Sequence, residues 1–158
     1  MEPLALPAYS YKLKDSEGKT FILDQVRRKY VVLTPEEWVR QHIIHLLHAH
    51  LQYPLALMSV ERGTKYNTLQ KRTDLRVYSS AGKPLLLVEC KAPHVPITQA
   101  TVSQVAVYNQ TIAAPYLMVS NGREHYCWQV EAITNKITPI SVLPSFQEIS
   151  QKMEQAGN

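Results

Sequence analysis

The amino-acid sequence predicts an α/β fold, an α+β sandwich in which helices flank a mixed central sheet. Long segments with helix-start signals alternate with short segments rich in apolar and β-branched residues, in the order α, β, β, β, α, β, β. Apolar residues make up 45% of the 158 residues, and charged residues 19%. This is the composition of a globular chain with enough residues for a sizeable core.

The N-terminal segment has no clear periodicity. Residues 1–20 contain Pro, Tyr and Lys without an apolar repeat, and we interpret them as an arm laid over the domain or partly mobile. Residues 21–158 are predicted to form a single domain. No apolar run approaches the roughly 20 residues that span a bilayer, and the start lacks a signal-peptide pattern. The sequence therefore predicts a cytoplasmic protein.

The first helix has a well-defined start. Thr34 suits the N-cap, Pro35 suits the first helical position, and Glu37 stands where a capping box places its carboxylate. The helix is expected to end near Leu51, before "QYP". A second helix is expected from Thr98 to about Ala114, and a short one near "SFQEISQKME".

The strands are predicted from short apolar or alternating runs. Residues 55–63 and 73–80 read as the first two strands, and "PLLLVECK" follows after the turn "AGK". Because this third strand is apolar on both faces, it is predicted to be central in a covered sheet. "YLMVSNG" and "EHYCWQVEA" are predicted to pair as the last two strands, with Asn121-Gly122 at the turn.

The third strand ends on charged residues, which is costly in a core unless they pair or bind something. If the strands around "SSAGK" form a hairpin, Asp74 at the start of one lies beside Glu89 at the end of the other. Side chains repeat every second residue, so Lys91 shares the face of Glu89. Cys90 then points into the core, while its backbone carbonyl can still turn toward the carboxylates.

These residue types predict a metal site. Adjacent carboxylates repel unless one is protonated or a cation neutralises both. Asp74, Glu89 and the Cys90 carbonyl are hard oxygen ligands of the kind Mg²⁺ prefers, with Mn²⁺ as a substitute. Lys91 beside the ion can orient or deprotonate an attacking water, or stabilise charge that builds on a phosphoryl group. The chemistry indicated is metal-assisted phosphodiester hydrolysis.

The pattern "TDLRVY…PLLLVECKAP" resembles the D…ExK core of the PD-(D/E)xK nuclease superfamily. The blocks "DQVRRKYVVLTPEEWVRQHIIHLL", "KRTDLRVY", "LVECKAP", "SQVAVYN" and "YLMVSNGREHYCW" resemble, in a small free-standing form, the N-terminal nuclease domain of type I restriction enzyme R subunits. This resemblance covers roughly residues 22–130. The superfamily's Pro-Asp is Thr73-Asp74 here, and this proline is commonly absent in relatives.

The resemblance implies a restriction-endonuclease-like αβββαβ core and a Mg²⁺-dependent endodeoxyribonuclease acting on DNA. It adds an acidic residue on the first helix, either Glu36 or Glu37; we favour Glu36 because Glu37 is explained by capping. It also adds a Gln-x-x-x-Tyr element, matched by Gln104 and Tyr108, which share a helical face. Gln104 is expected to bond a phosphate, a water or Lys91, with Tyr108 supporting it.

Partners are less defined. The net charge of +4 is compatible with a polyanion. Lys71, Arg72 and Arg28 are candidate phosphate contacts, with Tyr108 beside them. The sequence has no GxxxxGK[ST] loop, so a motor or specificity subunit would have to come from other chains. Cutting both DNA strands with one site per chain would favour a homodimer.

Alternatives to the nuclease remain. The same fold can serve as a catalytically silent nucleic-acid-binding or assembly module, and RNA or modified DNA can replace DNA as substrate. His42, His45 and His48 step by three along the first helix, which spreads them over a broad face without a Cys or carboxylate. We therefore expect a partly exposed polar flank there and not a zinc site.

Overall fold

The computed structural model describes residues 1–62 and 73–156. A π-helical turn at Leu46–His50 continues the first helix, and a short 3₁₀ turn at Leu55–Leu57 precedes the fourth strand. The elements in chain order are β1 (Leu13–Ser16), β2 (Lys19–Asp24), β3 (Lys29–Val32), α1 (Pro35–His45), β4 (Met58–Arg62), β5 (Thr73–Tyr78), β6 (Pro84–Cys90), α2 (Gln99–Ile112), β7 (Tyr116–Ser120), β8 (His125–Val130), β9 (Ile137–Ile140) and α3 (Phe146–Ala156).

Within the described residues, the main sheet has the strand order β4-β5-β6-β7-β8-β9. Its neighbours are antiparallel except β6 and β7, which run parallel and are joined by α2 as the crossover. Strand β6 is buried from Leu85 to Cys90 and lies inside the sheet. The predicted α/β fold with a mixed sheet and a covered central strand is confirmed.

Each face of the main sheet packs against a different helix. Val88 and Cys90 of β6 belong to the core that includes Val39 and Ile43 of α1. Leu87, the residue before Val88 in the strand, belongs to the core that includes Val105 of α2. Alternate side chains of one strand therefore reach opposite layers, as the period of two requires. We call these layers the α1 side and the α2 side.

The N-terminal segment is more regular than the sequence indicated. Strands β1 and β2 form a hairpin across Glu17 and Gly18, both with positive φ, so part of the predicted arm at 1–20 is sheet. All of β1 is exposed, which leaves it without the apolar alternation that predicts a strand. Earlier residues do lie over the domain, where the Ala5 N–H donates to the Gly122 carbonyl at 2.7 Å.

At the C-terminal end, the structure adds one strand to the predicted element order and contains the predicted helix. Ile137–Ile140 forms β9 beside β8, in a segment where no strand was predicted. The predicted C-terminal helix is α3, and its Ile149 is fully buried on the α1 side. None of the helices in residues 1–62 and 73–156 has the length and apolar character needed to cross a membrane.

Candidate active site

Strands β5 and β6 bring Asp74, Glu89 and Lys91 together. The register pairs Leu75 with Val88, so the residue before one and the residue after the other, Asp74 and Glu89, face each other across the strands. Asp74 is fully buried and Glu89 is 4% exposed. Lys91 follows β6 and places Nζ 3.5 Å from Glu89 Oε1. The juxtaposition predicted from the hairpin is present in the structure.

Asp74 lies beside an arginine on its own strand. The Arg76 Nε donates to Asp74 Oδ2 at 3.2 Å. Another nitrogen of the same guanidinium, Nη1, lies 2.9 Å from Oε2 of Glu61 on β4. Its Nη2 donates to the Tyr108 hydroxyl of α2 at 2.6 Å. One cation thus joins three elements on the α2 side of the sheet.

The second oxygen of the Asp74 carboxylate, Oδ1, differs from the first. Among the described residues no hydrogen bond reaches the buried Oδ1. Burial raises the pKa of the Asp74 carboxyl, and the charge of Arg76 acts in the opposite direction. A buried acceptor left unsatisfied costs free energy, and a cation bound there would remove that cost.

The residues present fit a hard divalent cation. Asp74 and Glu89 offer carboxylate oxygens of the type that Mg²⁺ binds, and the orphaned Asp74 Oδ1 gives one of them a free coordination position. Within the described part of the chain, no group of three His, Cys, Asp or Glu side chains is arranged to hold a metal ion. Mg²⁺ usually keeps several waters beside one or two carboxylates, and the Cys90 backbone carbonyl stays a predicted ligand.

The Cys90 side chain turns away from the carboxylates, as predicted. It is buried in the α1-side core. Burial raises the pKa of its thiol to about 12, so it stays protonated at neutral pH. Next to it, the Lys91 N–H donates to the Ser120 carbonyl at 2.8 Å, which extends the pairing of β6 with β7 and fixes the backbone under the site.

Helix α2 brings one of its two predicted residues into contact with the site. Tyr108 bonds Arg76, and its hydrogen bonding with Asp74 also favours the ionised carboxylate. Gln104, one turn earlier, is exposed and forms no hydrogen bond to another described residue. The predicted contact between Gln104 and Lys91 is therefore not formed in the described structure.

Glu36 and Glu37 lie on the α1 side. Glu36 is 43% exposed and pairs with Arg40 at 2.8 Å; it forms no hydrogen bond or ion pair with Asp74, Glu89 or Lys91 in the described structure. Arg40 Nη2 also donates to the Thr73 carbonyl at 3.4 Å. Within the described residues, Glu36 is linked to the site through Arg40 and the Thr73 carbonyl next to Asp74.

The carboxylate of Glu37 lies at the centre of a buried network of ion pairs. Thr34 caps the helix as predicted, accepting from the Glu37 N–H at 3.0 Å. The Glu37 carboxylate does not return to the cap; it binds Arg27 Nη2 at 2.6 Å and Arg40 Nη1 at 3.0 Å. The capping-box role predicted for this carboxylate is wrong, because a cation on the β2–β3 turn lies within its reach.

Of the three basic residues predicted to contact phosphate, Arg28 lies within the described residues. Arg28 is exposed in the β2–β3 turn, with φ 57° and its N–H bonded to the Asp24 carbonyl at 2.8 Å. Its neighbour Arg27 is occupied by Asp24 and Glu37. Lys71 and Arg72 lie outside the described residues. Arg28 remains a candidate DNA contact in the turn between β2 and β3.

The histidines of α1 are used in packing. His42 is 5% exposed and bonds the Trp38 carbonyl through Nδ1 at 2.8 Å. His45 stacks on Tyr9 with ring centroids 4.9 Å apart. The expected polar flank is therefore wrong at His42, where the N-terminal segment covers the helix with aromatic rings.

Arg76 and Glu61 contribute to the site but were not predicted from the sequence. Arg76 is two residues from Asp74, so the period of two already placed it on the same face. Glu61 is the Cα partner of Asp74 across β4 and β5. Its position could not be read without knowing how β4 registers against β5.

The order α1, β4, β5, β6, α2, β7 around a mixed sheet is that of a restriction-endonuclease-like core. Residues 35–144 match the family described as the type I restriction enzyme R protein N terminus. Because this match covers more than half of the chain, the protein belongs to that family. No curated protein matches the sequence.

One solved structure aligns with the chain. It is described as a fragment of an HsdR subunit of a type I restriction enzyme from Vibrio vulnificus YJ016. The two share 16% sequence identity with a TM-score of 0.49, and the alignment covers 77% of this chain and 25% of the other. The protein thus corresponds to about a quarter of that fragment's length.

Proposed function

We propose that the protein is a divalent-metal-dependent endonuclease that hydrolyses DNA phosphodiester bonds at Asp74, Glu89 and Lys91. The observation that supports this most is the buried Asp74, which faces Glu89 and whose Oδ1 accepts no hydrogen bond from the described residues. Family membership supports a nuclease-related role. Two buried carboxylates with an unsatisfied oxygen are poorly suited to structure alone.

The proposed cofactor is Mg²⁺, with Mn²⁺ as a substitute. Asp74, Glu89 and the Cys90 backbone carbonyl would hold it. When bound, the ion supplies positive charge for the phosphoryl oxygens. Ionised carboxylates are required for binding, and hydrogen bonding with Tyr108 and Arg76 helps to keep Asp74 ionised against its burial.

Lys91 is proposed to act on the reacting groups. Its side chain is 26% exposed, so the ammonium can contact both Glu89 and a substrate in solvent. A lysine here can orient the attacking water and stabilise the negative charge that builds on the phosphate. Gln104 is proposed to contact the phosphate or water from α2, and Glu36 to support the site through Arg40.

The proposed partner is DNA, with Lys71, Arg72, Arg28 and Tyr108 near the backbone. Phosphate contacts supply most of the non-specific affinity for DNA. Separate motor or specificity subunits are further proposed partners. A homodimer would place one site on each DNA strand.

The test separates cleavage from binding. Lys91→Ala should abolish Mg²⁺-dependent plasmid nicking and retain most DNA affinity in fluorescence anisotropy, because one of many phosphate contacts is removed. Lys136→Ala, which removes an exposed lysine from another part of the fold, is the matched control. It should retain both plasmid nicking and DNA affinity. Equal nicking by Lys91→Ala and wild type would contradict the proposal.

A catalytically silent DNA-binding module is the second candidate, and Arg76 favours it. Its guanidinium already neutralises Asp74 from within the chain, as a structural ion-pair network requires. The module predicts DNA affinity that is unchanged by Mg²⁺ or chelator and no nicking by well-folded wild-type protein.

A further inference from the structure

Arg76 binds groups from three elements at once. Nε contacts Asp74 of its own strand, Nη1 contacts Glu61 of β4 and Nη2 contacts Tyr108 of α2. The side chain is 14% exposed. A guanidinium with each donor group occupied is held in one orientation, so it is a fixed part of the site.

The Arg76 guanidinium and a divalent metal would compete for the carboxylate of Asp74. Arg76 Nε lies 3.2 Å from Oδ2 of Asp74, whereas Oδ1 is free of hydrogen bonds from the described residues. An ion bound at Asp74 would lie within a few ångströms of the guanidinium, where like charges repel strongly in a partly buried site. The Arg76–Asp74 contact must therefore weaken when a metal binds.

Glu61 forms a second ion pair with Arg76 that does not depend on Asp74. It contacts a different nitrogen, Nη1, at 2.9 Å, so the arginine can leave Asp74 and keep this ion pair. The Ser59 hydroxyl donates to Glu61 Oε1 at 3.1 Å, which fixes the carboxylate with Oε2 toward the arginine. At 38% side-chain exposure, Glu61 also borders solvent into which the guanidinium can shift.

We propose that Arg76 is a positioning residue that acts as an internal cation, holding Asp74 in the metal-free protein and remaining with Glu61 when a divalent metal takes Asp74. The inference rests on the proposed metal site and adds two residues to it, Arg76 and Glu61. Their effects on metal affinity have opposite signs. Arg76 opposes metal binding at Asp74, and Glu61 promotes it by retaining the displaced guanidinium.

The test measures binding of Mn²⁺ alone by titration calorimetry on the full chain. Arg76→Gln should bind Mn²⁺ roughly tenfold more tightly than wild type, because a positive charge close to the metal is removed. Glu61→Gln should bind it more weakly. Lys136→Gln is the control, because this exposed lysine lies in the β8–β9 turn, at the opposite end of the sheet from Glu89, and it should bind as wild type does.

Arg76→Gln leaves Asp74 without its ion-pair partner and can unfold the protein. In that case Arg76→Lys decides, because an ammonium keeps the charge but cannot bind three groups as a fork. Its Mn²⁺ affinity should exceed that of wild type, and Mn²⁺ should raise its Tm by more. Unchanged or weaker affinity in a folded Arg76 variant would overturn the proposal.

The same samples separate this inference from the nuclease itself. Shifted Mn²⁺ affinities with no DNA cleavage by any variant would support the role of Arg76 and refute the enzyme. Cleavage by wild type, with Mn²⁺ affinities that are the same in all variants, would support the nuclease and refute the role of Arg76. Absence of Mn²⁺ binding in every folded variant would overturn both.

Discussion

The Tyr108 hydroxyl of α2 lies 2.6 Å from Arg76 Nη2 of β5. This one contact joins the crossover helix to the strand that carries Asp74. Because Arg76 also binds Asp74 and Glu61, the helix, two strands and the central carboxylate form one connected polar unit. Changing any member should affect the others.

Tyr108→Phe is expected to lower the free energy of unfolding by about 1–3 kcal/mol, the cost of removing a partner from a partly buried charged group. Urea denaturation followed by circular dichroism measures it. Tyr126→Phe is the control, since that ring is 44% exposed and should change stability by less than about 0.5 kcal/mol. Equal losses in both variants would show that the Tyr108 hydroxyl contributes nothing specific.

Asp24 should stabilise the protein in a pH-dependent way. Burial opposes its charge, but hydrogen bonds from Arg27 and Val26 lower the pKa of the carboxyl below its usual 3.8. A lowered pKa in the folded state gives stability that is present above 3.8 and is lost as the pH falls through the folded value.

Asp24→Asn should therefore lose about 1–3 kcal/mol at pH 7, and the gap to wild type should narrow as the pH falls below about 4. Tm measured from pH 3 to pH 7 provides the test. Asp15→Asn, at an exposed carboxylate bonded to Thr20, should track wild type throughout. A gap that stays constant with pH would contradict the assigned role of the Asp24 charge.

Glu36 and Glu37 should differ sharply in stability. Glu37→Gln removes a carboxylate shared by Arg27 and Arg40 and should cost about 3–5 kcal/mol, as breaking a buried pair does. Glu36→Gln affects a half-exposed pair and should cost about 1 kcal/mol or less. Cleavage by Glu36→Gln should fall only severalfold, because Glu36 acts through Arg40. Complete loss of cleavage at normal stability would instead place Glu36 in the reaction itself.

Gln104→Ala is expected to lower cleavage without changing stability. Its side chain is exposed and bonds no described residue, so the change in unfolding free energy should stay within about 0.5 kcal/mol. Gln110→Ala, also exposed on α2, should leave both properties unchanged. Single-turnover cleavage assays and thermal melts measure the pair. A Gln104→Ala variant as active as wild type would remove Gln104 from the site.

Much of the fold was predictable where the chemistry is local. Thr34 at the N-cap and the turn "SSAGK" between β5 and β6 depend on a few neighbouring residues. Strand β1 is exposed throughout, and β9 contains Pro139 at the sheet edge. Strand β1 has no apolar pattern, because backbone pairing and not side-chain burial holds it. Strand β9 packs Ile137 and Ile140 against the core, but a proline inside so short a run argues against a strand.

The site was predictable only along one hairpin. Asp74 and Glu89 could be placed together because a short turn joins their strands. Glu61 could not be placed beside Asp74, because residues 63–72 separate β4 from β5 and neither strand's sequence determines how the two pair. The assignment of Glu37 to a cap failed for a similar reason: Arg27, from a distant turn, competes for its carboxylate.

The most direct test of the central claim is nicking of supercoiled plasmid by wild-type protein with Mg²⁺ and with chelator, beside Asp74→Asn. Asparagine keeps the size of the side chain and removes the charge that a metal needs. We expect nicking by wild type with Mg²⁺, and none with chelator or in a folded Asp74→Asn variant. Nicking that persists with chelator or in Asp74→Asn, or no nicking by folded wild type, would contradict a metal-dependent nuclease centred on Asp74.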